Sequence, residues 1–250
     1  MKQLFAILLA INLTGCATLE IPDSFVYKEI NSSTFKIASW QKISDRNQPF
    51  KVYIEGDGRA FTASGRVSQN PTPKGTLLRE IAFGDPHANV IYLARPCQFV
   101  TDNKCSPKYW STARFSPEVL TAEYEAIKSF ADKEPLTIVG FSGGAQVAGL
   151  LAVKYPDLHI HKLVTVAGNL DVASWVTAHD VLPLSESEDL ASYRDEYAVF
   201  EQVHYVGMKD DNILPEITFN FVKDSGNIRK IKAASHNKGW ETAFTAIRQE

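Results

Sequence analysis

The residues of this chain best placed to do chemistry are Ser142, His236 and an aspartate between them, Asp210 or Asp211. A serine hydroxyl is a weak nucleophile until a base takes its proton and a third group orients that base. Ser142 lies in Gly140-Phe141-Ser142-Gly143-Gly144, between a strand-like run, Leu136 to Val139, and a helical run, Ala145 to Ala152. A residue at such a junction sits on a sharp, strained turn, and flanking glycines remove the Cβ atoms that would collide there. Its hydroxyl would stand clear of the sheet at a helix N-terminus, where amides favour negative charge. The pentapeptide recurs by chance, so its weight comes from the strand–turn–helix setting.

The acid should follow the strand-like run Gln202 to Gly207. Counting three on from Gly207 selects Asp210, whereas counting four back from Pro215 selects Asp211. The glycine marks where the strand leaves the sheet, so Asp210 is favoured and Asp211 is the alternative. His236 stands after the final strand and before the last helix, where the base is needed. His87 comes before the nucleophile, His159 and His161 lie beyond its helix, His179 falls in an insert, and His204 is inside a strand. An oxyanion needs two backbone donors. The Gly143 amide follows the nucleophile directly; the second is expected from Asp57 in Glu55-Gly56-Asp57-Gly58, with Gly58 next in line.

Strand-like and helical segments alternate along the chain. Phe35–Trp40 reads as an edge strand; Lys51–Ile54, Asn89–Leu93, Lys162–Val166, Phe200–Val206 and Ile228–Ala233 read as further strands. Helical spacing marks Gly75–Phe83, a helix opened by Ser116-Pro117-Glu118 and running to about Lys133, Pro215–Val222 and Trp240–Arg248. The fold class is therefore α/β, with a mainly parallel central sheet and helices on both faces. A short insert, 170–199, follows the sixth strand and is the only room for a cap. It mixes Trp175, Val176, Val181 and Leu182 with the acidic run Glu186–Asp189, which reads as a solvated face. Tyr109-Trp110 would line the substrate site or pack in the core.

The 250 residues carry a formal net charge of −3 and no long basic run, which argues against nucleic acid as a partner. No cofactor is implied, and no cysteine or histidine cluster supplies a metal site. A monomer acting on a small-molecule acyl substrate is expected.

The chain resembles the α/β-hydrolase superfamily, and within it a group of bacterial exported hydrolases of largely unassigned substrate. The resemblance rests on Tyr53–Gly58, Leu93–Cys97 with Cys105, Tyr109-Trp110 with Ala113–Ser116, the Ser142 pentapeptide, Val166–Asp171, and His236 with Trp240. It covers nearly the whole mature length. It implies cleavage of an ester, thioester or amide through an acyl-enzyme. Binding without catalysis in the cell envelope, and acyl transfer to an acceptor other than water, are the alternatives. Glu55 stands where a common oxyanion loop has histidine, and the acid loop is one residue longer than usual.

The N-terminus suggests the compartment. Lys2 precedes an apolar run, Leu4 to Leu13, of about ten residues, half the length a membrane-spanning helix needs. Leu13-Thr14-Gly15-Cys16 resembles the bacterial lipobox, which implies removal of residues 1–15 and a lipid on Cys16. Ordinary secretory cleavage with Cys16 as a free thiol is the alternative. Residues 16–33 are expected to be a lipidated tether and 34–250 the hydrolase domain. By sorting rules, Ala17 favours the outer membrane, with the domain facing the periplasm. In such an oxidising compartment Cys97 and Cys105 would pair, metal binding being the competing use.

Overall fold

The computed structural model describes residues 19–223 and 227–250. Cys16 and the apolar run before it lie outside the described residues. No helix among the described residues is long and apolar enough to cross a membrane.

Among the described residues eight strands form one sheet: β1 (Val26–Asn31), β2 (Lys36–Ile43), β3 (Phe50–Ile54), β4 (Asn89–Leu93), β5 (Leu136–Phe141), β6 (Ile160–Val166), β7 (Glu201–Gly207) and β8 (Asn227–Ile231). Their order is β1-β2-β4-β3-β5-β6-β7-β8. The β1–β2 and β2–β4 pairs are antiparallel, and every other pair is parallel. The helices are α1 (Leu77–Phe83), α2 (Pro117–Lys128), α3 (Gly143–Lys154), α4 (Val172–His179), α5 (Arg194–Tyr197), α6 (Pro215–Val222) and α7 (Phe244–Gln249). This is the expected mainly parallel sheet with helices on both faces and an insert after the sixth strand.

Strand alternation explains the two layers. Val52 and Ile54 of β3 pack with α2, α3 and α6, through residues such as Leu120, Leu150 and Phe221. Tyr53 turns the other way and packs with Leu78 and Ile81 of α1 and Ile247 of α7. Every residue of β3, β4 and β5 is buried, as interior parallel strands require.

Three expectations are corrected. The tether expected over 16–33 contains β1, so Phe35–Trp40 lies in the second strand rather than at the edge. Only Ile30 of β1 is buried, so this strand gains from backbone pairing with β2 rather than from burial and leaves no alternating pattern to read. Helix α2 ends at Lys128 instead of about Lys133, where Ser129 Oγ donates to the Ala126 carbonyl and competes with the next helical turn. The closing helix begins as a 3₁₀ turn, Glu241–Ala243, before α7.

After β3 the chain steps to one side into β4, then returns past β3 to β5. The C-terminal ends of β3 and β5 therefore flank a topological switch point, the place where open α/β sheets bind ligands.

Candidate active site

Ser142 sits at that switch point, between β5 and α3, with φ 52° and ψ −122°. A non-glycine residue adopts such a backbone only when its surroundings over-determine it. Here Ser142 N–H donates to the Val166 carbonyl at 3.0 Å, and the Ser142 carbonyl accepts from Ala145 and Asn169 N–H at 3.1 and 3.0 Å. The glycines make the turn possible sterically. A Cβ at Gly140 would fall 2.5 Å from Ala145 Cα, and one at Gly144 would fall 2.3 Å from the Ile54 carbonyl oxygen.

His236 and Asp210 stand at the ends of the last two strands. His236 Nδ1 donates to Asp210 Oδ2 at 2.9 Å, while Asp210 Oδ1 accepts from Asn212 and Ile213 N–H, both at 2.9 Å. Asp210 is buried and Asp211 is exposed. The histidine loop is pinned by the fully buried Trp240, whose Nε1 donates to the Ser235 carbonyl at 2.8 Å. A proton on Nδ1 leaves the His236 Nε2 lone pair free. The ring lies 5.2 Å from that of Phe141, the residue before the nucleophile. Ser142 and His236 line one cleft of about 690 Å³. No hydrogen bond joins them among the described residues. Such contacts commonly tighten only when substrate binds.

The expected oxyanion donors lie side by side at the Ser142 turn, the Asp57 loop lining the cleft. Gly143 opens α3, and the first amide of a helix has no intrahelical partner. In the Asp57 loop, Gly56 N–H is already taken by Glu55 Oε1 at 2.8 Å, whereas Asp57 N–H has no acceptor among the described residues. Burial pushes the Glu55 carboxyl up, against the pull of the Tyr92 hydroxyl and the Gly56 amide. The Asp57 carboxylate lies against Gly143 so closely that a Cβ there would be 2.1 Å from Oδ1.

Two buried arginines grip that carboxylate. Arg114 Nη1 lies 2.6 Å from Asp57 Oδ2, and Arg95 Nη1 lies 3.5 Å from Oδ1. Arg95 also donates to the Arg114 carbonyl and lies 3.4 Å from Glu123, a fully buried carboxyl that burial pushes up to about 8 against the opposing charge of Arg95. Gln98 donates to the Gly56 carbonyl at 2.9 Å. Arg95 and Gln98 flank Cys97, which is disulfide-bonded to Cys105.

Arg95, Arg114 and Glu123 were missed by sequence reasoning. So were Trp175 and Asn212, which line the cleft, and His179, set aside because it falls in the insert. The four-residue spacing of Trp175 and His179, one helical face, was the available signal. Tyr109 and Trp110 do not line the cleft: Tyr109 packs edge-on against Phe35, and buried Trp110 donates to the Ser68 carbonyl. The acidic run is not simply a solvated face either. Asp189 accepts from Val172 and Ala173 N–H, anchoring the start of α4, and Glu188 pairs with Lys154.

Neither a protein-family model nor a curated protein matches the sequence. Solved structures do. Est1E from Butyrivibrio proteoclasticus aligns over 90% of this chain and 96% of its own, with TM-score 0.63 and 13% identity. The thioesterase domain from the curacin biosynthetic pathway gives TM-score 0.61 and 13% identity over 91% and 98% of the two chains. XC6422 from Xanthomonas campestris, described as an α/β serine hydrolase without lid, gives TM-score 0.51 and 12% identity over 93% and 94%. At these identities the likeness is one of fold: the chain has the α/β-hydrolase fold.

Proposed function

We propose that this protein is a serine hydrolase that cleaves a small or medium ester, thioester or amide through an acyl-enzyme. The observation carrying this reading is the convergence, at the switch point, of a strained serine, an aspartate-oriented histidine and two amides without acceptors among the described residues. Ser142 Oγ attacks the carbonyl carbon as His236 Nε2 takes its proton. The oxyanion accepts from the Gly143 and Asp57 amides. Collapse breaks the bond to the leaving group, which receives the proton from His236. Water, deprotonated by the same Nε2, then attacks the acyl-enzyme and frees Ser142. Asp210 holds the imidazole tautomer and stabilises its charged form.

The aligned structures include an esterase with ferulic acid bound and a thioesterase domain, which fits a carbonyl substrate. The cap is the eight-residue α4, one 3₁₀ turn and the four-residue α5, too small to present the broad apolar face expected of an enzyme working on bulk lipid. A fluorophosphonate probe should label the protein and fail to label Ser142→Ala, whose kcat should drop roughly 10⁴–10⁶-fold. Labelling that persists in Ser142→Ala, or unchanged turnover, sinks the assignment; a non-catalytic envelope protein would not react at all. A p-nitrophenyl ester series run beside thioester and peptide substrates, with competing acceptors, would define the leaving group and expose any acyl transfer. For the anchor, we propose lipidation of Cys16 on a periplasm-facing membrane surface. Incorporation of a palmitate analogue that survives in Cys16→Ser would overturn it.

A further inference from the structure

Helix α4 is fixed at both ends. Its start is held by Asp189, and its end by a single peptide group on the far side of the cleft. The Asn212 carbonyl accepts from Trp175 Nε1 at 3.0 Å and from His179 Nε2 at 2.6 Å. A carbonyl only accepts, so His179 carries its proton on Nε2. That carbonyl belongs to the same peptide unit as Ile213 N–H, which donates to Asp210 Oδ1 at 2.9 Å. Two donors on the oxygen draw electron density toward it and make the N–H of that unit a stronger donor, the usual cooperativity of hydrogen-bond chains. Asp210 Oδ2 in turn receives His236 Nδ1. An unbroken chain of hydrogen bonds thus runs from the surface helix of the insert to the candidate base. Trp175 has a second contact: the Arg114 guanidinium lies 5.8 Å from its ring, and Arg114 holds Asp57.

We infer that His179 and Trp175 are positioning residues, which lock the acid loop and so set the orientation of His236 according to the placement of α4. The inference rests on the serine hydrolase reading. His179 does not line the cleft, so its contribution should fall on kcat and not on KM.

The test compares His179→Leu, which removes the donor, with His179→Gln, whose side-chain amide can reach the same carbonyl. Turnover of a p-nitrophenyl ester is measured, with the downfield proton resonance of His236 Nδ1 as an independent signal. His179 is half-buried on a surface helix, and a thermal melt confirms that both variants fold. His179→Leu should lower kcat roughly 3- to 10-fold, the size of one neutral hydrogen bond. KM should hold within about two-fold and the resonance should move, with His179→Gln recovering most of both effects. Trp175→Phe, which keeps the ring and loses the donor, should move the resonance in the same way. Unchanged kcat and resonance in His179→Leu, a change in KM alone, or equal loss in both His179 variants would overturn the inference. The resonance needs no turnover: an unaltered protein that cleaves nothing would refute the hydrolase reading and leave this test standing.

Discussion

The two ends of the sheet each bury a cluster of charges, and the clusters are built on opposite terms. At the N-terminal end, Asp85 is fully engaged. It accepts from the Tyr53 hydroxyl at 2.5 Å and from His87 N–H at 2.9 Å, and lies 3.2 Å from Lys51 Nζ. Lys51 also donates to the Ile247 and Arg248 carbonyls, tying α7 to β3. At the C-terminal end, Arg95, Arg114 and Glu123 are equally buried around the half-buried Asp57, but they are under-bonded. Among the described residues, Arg95 Nε, Arg114 Nη2 and both Glu123 oxygens lack hydrogen bonds, as does Asn169 Oδ1 on the cleft wall. Buried polar groups without partners are rare in folded proteins and collect where function outweighs stability. The saturated cluster closes the fold, and the under-bonded one holds a loop to a shape the chain would not choose.

Breaking the saturated cluster should have the largest effect. Lys51→Met leaves Asp85 buried without its cation and should cost about 3–5 kcal/mol of stability, read by denaturant unfolding, with kcat unchanged in the folded fraction. A loss below about 1 kcal/mol would mean the cluster is not structural. Arg114→Met attacks the other end. The Asp57 amide loses its hold but is not deleted, so kcat should fall about 10- to 100-fold, less than the roughly 10²–10³ expected for deleting a whole oxyanion donor. Stability should fall less than for Lys51→Met, because the substitution also removes a buried unpaired nitrogen. The reverse ranking, stability lost and kcat kept, would erase the distinction between the two ends.

Glu123→Gln gives the smallest and most specific signal. With its carboxyl raised to about 8 in the fold and ordinary in the unfolded chain, Glu123 favours folding only where the folded state keeps its proton. That contribution is complete below the ordinary carboxyl range and is lost as pH rises toward 8. The melting temperature should therefore decline between about pH 5 and 8, and Glu123→Gln should flatten the decline. An unchanged slope would assign the decline to other groups.

The contrast also explains what was legible in the sequence. The interior strands announce themselves as short apolar runs, and the elbow at Ser142 by glycines where a Cβ would meet neighbouring backbone. Asp210 could be singled out because Gly207 fixes where β7 leaves the sheet. Strand β1 could not, since five of its six residues are exposed. Nor could the charge clusters. Glu123 stands at the apolar spacing of Val119, Ala126 and Ile127 and looks like any helix glutamate until Arg95, distant in sequence, is brought beside it. Local pattern encodes elements and turns, while pairing across the sheet is a product of the fold.

The contact between Asp57 and Gly143 has an evolutionary consequence. A chain that keeps Asp57 and gains any side chain at position 143 places a Cβ 2.1 Å from the carboxylate. A chain that loses Asp57 frees position 143 but leaves two buried arginines without their shared anion. Neither change is tolerable alone, so the two loops are inherited as one unit.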